Sequence, residues 1–294
     1  MMTEELALDS PTRRLLSTFL DGRNPSTVLA YQRDLAAFCA PDSIPAGAER
    51  LLSLSHGEAN LAIFQYRASM QEKGLAPATI NRRLAAVRSL VKLARTIGMV
   101  PWAIDVPNVK EEKYRDTRGP GADAMPALLG ATESSRDRAI VHLLFDLALR
   151  RVEVTRLDLE DYRPPSLWVL GKGKAGKLAV TPPPPTVEAL ERWLGDRGDA
   201  PGPMFCNLDG GHARGRLDAG SVNRIVGGLA KKAGLPHIRP HGLRHSSITL
   251  ALEMTNGNVR DVQKFSRHRD VRTISTYDDA RTDIAGRVAA MVAG

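Results

Sequence analysis

Residues 101–121 read PWAIDVPNVKEEKYRDTRGPG, and they divide the chain. The stretch holds three prolines, two glycines and many charges, with no sustained apolar period. A structureless loop of about twenty residues is uncommon inside one compact domain, so this reads as a linker or domain boundary. A chain of 294 residues can fill two domains of ordinary size. The expected division is an N-terminal helical domain over 10–105, a linker over 106–120, and a second domain over 121–294 that ends in a helix.

On the N-terminal side every periodic segment is helical. In NPSTVLAYQRDLAAF (24–38), Val28, Tyr31, Leu35 and Phe38 recur at three- and four-residue steps, after a proline and a Ser26 or Thr27 cap. Residues 56–71 repeat the pattern through Leu61 and Phe64, with Ile63 as a further candidate. PATINRRLAAVRSLVKLARTI (77–97) does so more strongly through Ile80, Leu84, Val87 and Leu90. The reading is a bundle of about four short helices joined by Pro- and Gly-containing loops.

On the C-terminal side the character is mixed. RDRAIVHLLFDLALRRVEVTRL (136–157) carries a strongly apolar helix around Ile140, Leu143, Leu144 and Leu147. LWVLGKGKAGKLAVT (167–181) shows two extended runs about a Gly- and Lys-rich turn, a β-hairpin signal. Helices are expected over 186–194, 219–232, 240–254, 259–266 and 282–292, and the four prolines at 182–185 suit a rigid surface connection.

Composition narrows the classes of partner. The formal net charge of +8 favours an anionic partner, nucleic acid among them. With aromatics at 5%, extensive base stacking is not expected. Cys39 and Cys206 lie far apart, which argues for a reducing compartment and against a thiolate metal site. No secretory signal or membrane-length apolar run is visible, so a cytoplasmic protein with no membrane partner is expected.

Several residues are of types that handle phosphate. His241, Arg244 and His245 in PHGLRHSS (240–247) share i, i+3, i+4 spacing at a helix N-terminus, where unpaired N–H groups favour an anion. An ordinary polar first turn would look the same. His237, His241 and His245 do not complete a metal set, because Pro240 interrupts the spacing and no carboxylate or cysteine joins them. Arg150 can hold two phosphate oxygens through parallel hydrogen bonds, with Glu153 to orient it, although such a pair can equally be a surface ion pair. Lys172, with Lys174 beside it in the glycine-rich turn, can bring a proton to a leaving oxygen, or simply be a charged hairpin tip. SRHRDVRTISTYDD (266–279) supplies His268 and Tyr277. A phenol with a pKa of about 10 attacks phosphorus only with positive charge and a proton acceptor nearby. By itself Tyr277 reads as a packing residue.

Taken in order, Arg150, Lys172, His241-Gly-Leu-Arg244, His268 and Tyr277 resemble the catalytic set of the tyrosine recombinase (phage integrase) family, with its Xer-like two-domain members. DLALRRVEV, LGKGKAGKLAV and PHGLRHSS resemble the family's motifs in local context, and STVLAYQRDLAAF and LAPATINRRLAAVRSL resemble helices of its N-terminal domain. The resemblance implies a mainly α, two-domain fold: a SAM-like core-binding bundle and a mixed α/β catalytic domain with a small antiparallel sheet. It further implies site-specific strand cleavage and rejoining through a 3′-phosphotyrosyl intermediate, in integration, excision or multimer resolution, with no cofactor and no metal. Implied partners are double-stranded DNA with an inverted-repeat-like site, a tetramer on two such sites docked through RTDIAGRVAAMVA, and an accessory protein or partner recombinase. Arg82 and Arg83 are DNA-contact candidates in the first domain, and Lys174 in the second.

Three departures stand out: Ala148 where a glycine commonly precedes Leu-Arg, Arg151-Val152 before Glu153, and Phe265-Ser266-Arg267 where a Leu-Leu-Gly run commonly precedes the histidine. The extra arginines read as DNA contacts. A type IB-like topoisomerase and a non-catalytic architectural DNA-binding protein are the alternative functions.

Overall fold

Serine caps start three helices of the N-terminal unit, and prolines begin others, as fixed backbone geometry at a helix start favours. The computed structural model describes residues 10–110, 119–171, 176–208, 215–277 and 284–293. It divides into two compact units, Met1–Tyr114 and Arg115–Gly294.

Among the described residues the first unit has five helices: α1 (Pro11–Leu20), α2 (Pro25–Cys39), α3 (Ile44–Leu52), α4 (His56–Glu72) and α5 (Pro77–Thr96). The short α3 carries both Pro45 and Gly47, residues that more often punctuate loops. It forms because Ser43 accepts the Ala46 N–H and because Gly47 meets α2 closely. A Cβ at Gly47 would lie 2.4 Å from the Cβ of Cys39. Leu15, Phe19, Leu35, Ile63, Leu84 and Leu90 fill the core. Leu61 and Phe64 do not join it, at 59% and 40% exposed, so the face expected for α4 is corrected. The helix turns Ala59, Ile63 and Met70 inward instead, and the Arg67 guanidinium covers the Phe64 ring at 5.0 Å.

The segment after α5 runs back along the unit. Val100, Ile104 and Val106 enter its core. The Asn60 side chain accepts the Asp105 N–H at 2.8 Å, and Asn81 accepts the Val109 N–H at 2.8 Å while donating to its carbonyl at 2.9 Å. Arg67 donates to the Pro107 carbonyl and Arg88 to Asn108 Oδ1. The opening residues of the expected 106–120 linker therefore belong physically to the first unit.

The second unit begins with α6 (Ala124–Gly130), α7 (Ser135–Phe145) and the short α8 (Arg151–Thr155). The apolar helix expected to carry Arg150 ends earlier, at Phe145; Arg150 caps α8 across a turn in which Ala148 has φ of 46°. A three-stranded antiparallel sheet follows, β1 (Tyr162–Arg163), β2 (Ser166–Leu170) and β3 (Lys177–Val180), in order β1-β2-β3. Leu170 pairs with Lys177 at the closed end of the hairpin. Then come α9 (Pro184–Arg197), α10 (Ala219–Lys232), α11 (Pro240–Met254), α12 (Val259–Ser266), a 3-10 turn (Val271–Tyr277) and α13 (Ile284–Ala293). The proline run is not wholly a connector, since Pro184 and Pro185 form the first turn of α9. One core, built on Ile140, Leu143, Leu144, Val169, Leu190, Phe205 and Val226, joins the α7–α8 turn, the sheet and α9–α11.

Candidate active site

The site grows from the Ala148 turn. Arg244, on the first turns of α11, is 1% exposed. It donates from Nη1 to the Ala148 carbonyl and from Nη2 to the Ser266 carbonyl at 2.5 Å. A buried guanidinium thus joins the turn before α8 to the end of α12. Glu153, 2% exposed, accepts from Arg150 Nη1 at 2.7 Å through Oε1 and from the Arg150 backbone N–H at 2.9 Å through Oε2. The expected i, i+3 pair is present, and it is no loose surface ion pair: its carboxylate is buried while Arg150 remains 28% exposed.

His268 follows α12. Ser266 donates from its hydroxyl to the Gln263 carbonyl at 3.4 Å and accepts from His268 Nδ1–H at 2.8 Å. That leaves Nε2 as an acceptor facing Arg244 Nη2 at 3.3 Å, so the network assigns the Nδ1–H tautomer. Desolvation first, and then the charges of Arg244 and Arg150, His241 and Arg267 push its pKa down to about 4. His241 keeps an exposed face at the start of α11. Partial desolvation, and after it the charges of Arg244, Arg150 and Arg151, hold its pKa below the ordinary histidine value. Both rings are therefore neutral near pH 7 and able to accept a proton or a hydrogen bond.

Arg150, Glu153, Arg244 and His268 come together, but His245 does not share their face. It is buried beside Thr249 and lines a separate small cavity with Gly119 and Gly121. Gly119 is needed there, because a Cβ would lie 1.9 Å from Ser246 Oγ and 2.0 Å from the Gly242 carbonyl oxygen. Tyr277 closes the 3-10 turn that follows His268, and its side chain lies outside the described residues. Lys172 and Lys174, which fall between β2 and β3 in the sequence, also lie outside them. In the first unit Arg82 is exposed and pairs with the buried Asp34, while Arg83 is half-buried. Among the described residues no group of three His, Cys, Asp or Glu side chains converges to hold a metal, and no helix is long and apolar enough to cross a membrane.

Arg267 joins this cluster, 3.7 Å from Glu153 Oε2. Its side chain is 7% exposed and turned inward, so it is not the DNA-contacting surface arginine expected there. The one signal was its place immediately before His268, where a glycine is common. Its backbone has φ of 57°, as glycine would accept freely. Burial lowers its pKa, Glu153 opposes that and Arg150 adds to it.

Residues 122–283 match the model of the phage integrase family, and residues 15–97 match the phage integrase N-terminal SAM-like domain. The chain is 39% identical over 276 residues to the tyrosine recombinase slr0733 of Synechocystis, covering 89% of this chain and 88% of that protein. It is 39% identical to the tyrosine recombinase Synpcc7942_B2651 of Synechococcus elongatus, over 90% of this chain and 88% of that one. Among solved structures, the Tn1549 transposon integrase in complex with circular intermediate DNA superposes with a TM-score of 0.71 at 18% identity, covering 96% of this chain and 99% of that one. XerH recombinase bound to a palindromic difH substrate gives 0.68 at 17% identity, over 99% of this chain and 87% of that one.

Proposed function

This chain belongs to the phage integrase family of tyrosine recombinases, which cut and rejoin DNA strands, and we propose that it recombines duplex DNA at a specific site through a 3′-phosphotyrosyl link to Tyr277. The reading rests on one observation: two arginines, a buried carboxylate and a neutral histidine converge from α8, α11 and the turn after α12. Such a cluster matches the charge that develops on a phosphate under attack.

In the proposed reaction Arg150 and Arg244 hold the non-bridging oxygens. Arg244 exchanges its 3.3 Å contact to His268, the longest of its described bonds, for a phosphate oxygen. Ser266 can donate or accept, so His268 can switch tautomer and donate from Nε2 to the same oxygen. The Tyr277 oxygen forms its bond to phosphorus, and neutral His241 takes or positions the phenolic proton. The bond from phosphorus to the 5′ oxygen breaks, and Lys172 protonates that oxygen. Rejoining reverses these steps with a 5′ hydroxyl from a second strand. The phosphotyrosine retains the energy of the phosphodiester, so the scheme consumes no nucleotide.

The biological setting of this proposal is integration, excision or multimer resolution, by a tetramer on two inverted-repeat-like sites with an accessory protein or partner recombinase. An apolar groove of about 410 Å³, lined by Phe145, Leu250, Ala251, Met254, Val262 and Phe265, supports self-association. So does α13, which exposes Met291 and Val292 at 75% and 83%. Arg82, Arg83 and Lys174 are proposed to contact DNA phosphates.

Covalent capture tests the chemistry. Parent protein and Tyr277→Phe are mixed with nicked duplex fragments of the host genome, and SDS-stable adducts are sequenced. Adducts from the parent alone, at one recurrent sequence, are expected. Adducts spread over many sequences would favour a topoisomerase. Their absence, with DNA binding equal in both proteins, would favour an architectural role.

A further inference from the structure

Arg267 carries two energetic costs in one residue. A non-glycine residue is strained in the left-handed region, and Arg267 has φ of 57°. A guanidinium that is 7% exposed has also given up most of its hydration. Such costs persist only where the surrounding bonds offset them, and they cluster where function needs a fixed geometry.

The bonds are specific. Nη1 donates to the Phe265 carbonyl at 2.9 Å, closing the turn on itself. Nη2 donates to the Leu147 carbonyl at 2.8 Å and the Ala148 carbonyl at 3.0 Å, and lies 3.7 Å from Glu153 Oε2. That oxygen accepts the Arg150 backbone N–H, and its twin accepts Arg150 Nη1. Arg267 therefore touches both the backbone that leads into Arg150 and the carboxylate that grips it. Ala148 and Arg267, two of the three described non-glycine residues with positive φ, face each other through this bond. A lysine has one point of contact where this planar fork has several, and a glutamine lacks the charge opposite Glu153.

We infer that Arg267 is a positioning residue for strand cleavage: its guanidinium ties the Leu147–Ala148 turn to Glu153 and so holds Arg150 in place for the phosphate. The inference rests on the recombinase reading above. A residue acting this way changes the rate of the chemical step more than the affinity for DNA, since a displacement of about 1 Å at a reacting group costs on the order of 100-fold.

The test compares the parent with Arg267→Lys, Arg267→Gln and Arg267→Gly. The double variant Ala148→Gly/Arg267→Gly places at both left-handed positions the residue that conformation favours, which keeps a folded glycine variant in reach. Folding is checked by circular dichroism and thermal unfolding. Three quantities are read: the rate of adduct formation at saturating protein on the captured nicked duplex, the Kd for that duplex, and the affinity for inorganic orthovanadate as a phosphate mimic.

For Gln and Gly the adduct rate should fall about 100-fold and vanadate binding should weaken, with Kd for the duplex nearly unchanged. Arg267→Lys should fall between these variants and the parent. A folded Gln or glycine variant that cleaves at the parental rate overturns the proposal. So does a loss of cleavage that merely tracks a loss of DNA binding. If the parent forms no adduct, vanadate separates the two readings. Binding by the parent that is lost in the variants keeps Arg267 as the support of a phosphate site while the recombinase reading fails. Binding equal in all, or none in the parent, overturns the role of Arg267.

Discussion

At the scale of single residues, the site is organised as much by backbone carbonyls as by side chains. The Ala148 carbonyl receives Arg244 and Arg267 together, which requires the turn to point that oxygen inward and explains why the residue sits at φ of 46°. Burial first, and the surrounding positive charge after it, favours the neutral form of the histidines, and this has a measurable consequence for stability. The folded-state pKa of His268 is about 4, below the ordinary value of 6.5. Between those values the unfolded chain binds more protons than the folded one, so the stabilising contribution present above pH 6.5 is lost as pH falls towards 4. Thermal unfolding followed from pH 7 down to 4.5 should show a larger loss in the parent than in His268→Gln. Equal losses would mean that the ring is not held neutral.

At the scale of elements, the strap that follows α5 is fixed by side-chain amides acting as substitute strand partners. Asn81 makes both of its bonds to Val109, and Asn60 accepts from Asp105 while donating to the Ala103 carbonyl. Asn81→Ala removes two hydrogen bonds and should destabilise the first unit by about 1–2 kcal/mol. Urea unfolding of the full chain, with hydrogen exchange at the Val109 amide, measures this; unchanged protection at that amide would show that the strap is held otherwise. Such pairings explain why the linker signal misled at its start. Pro107 and the flanking charges look like a connector in one dimension, but Val106 has a core to enter and Arg88 reaches its neighbour Asn108. The exposed Leu61 and Phe64 teach the same lesson for α4, where Ala59, Ile63 and Met70 form the buried face.

At the scale of the whole molecule, the net charge of +8 makes phosphate contacts the expected source of DNA affinity. Affinity for duplex DNA should fall linearly on a log–log plot against salt, and each phosphate-contacting arginine removed should lower the slope by about one. Arg82→Gln and Arg83→Gln, titrated from low to moderate salt, test the first-unit contacts; an unchanged slope would assign them to the fold instead. Arg82 is the sharper case, because buried Asp34 fixes its direction and offsets part of its charge. The helical character of the first unit, the β2–β3 hairpin, the helices from α10 to α12 and the i, i+3 pairing of Arg150 with Glu153 were all legible in the sequence. Each depends on local periodicity, caps and turn chemistry, which neighbouring residues carry. The inward course of the strap, the left-handed pair Ala148 and Arg267, and the burial of Arg244 between the Ala148 and Ser266 carbonyls were decided only by tertiary structure. They join residues from 22 to 119 positions apart, and whether a buried charge is tolerated depends on the partners that folding brings to it.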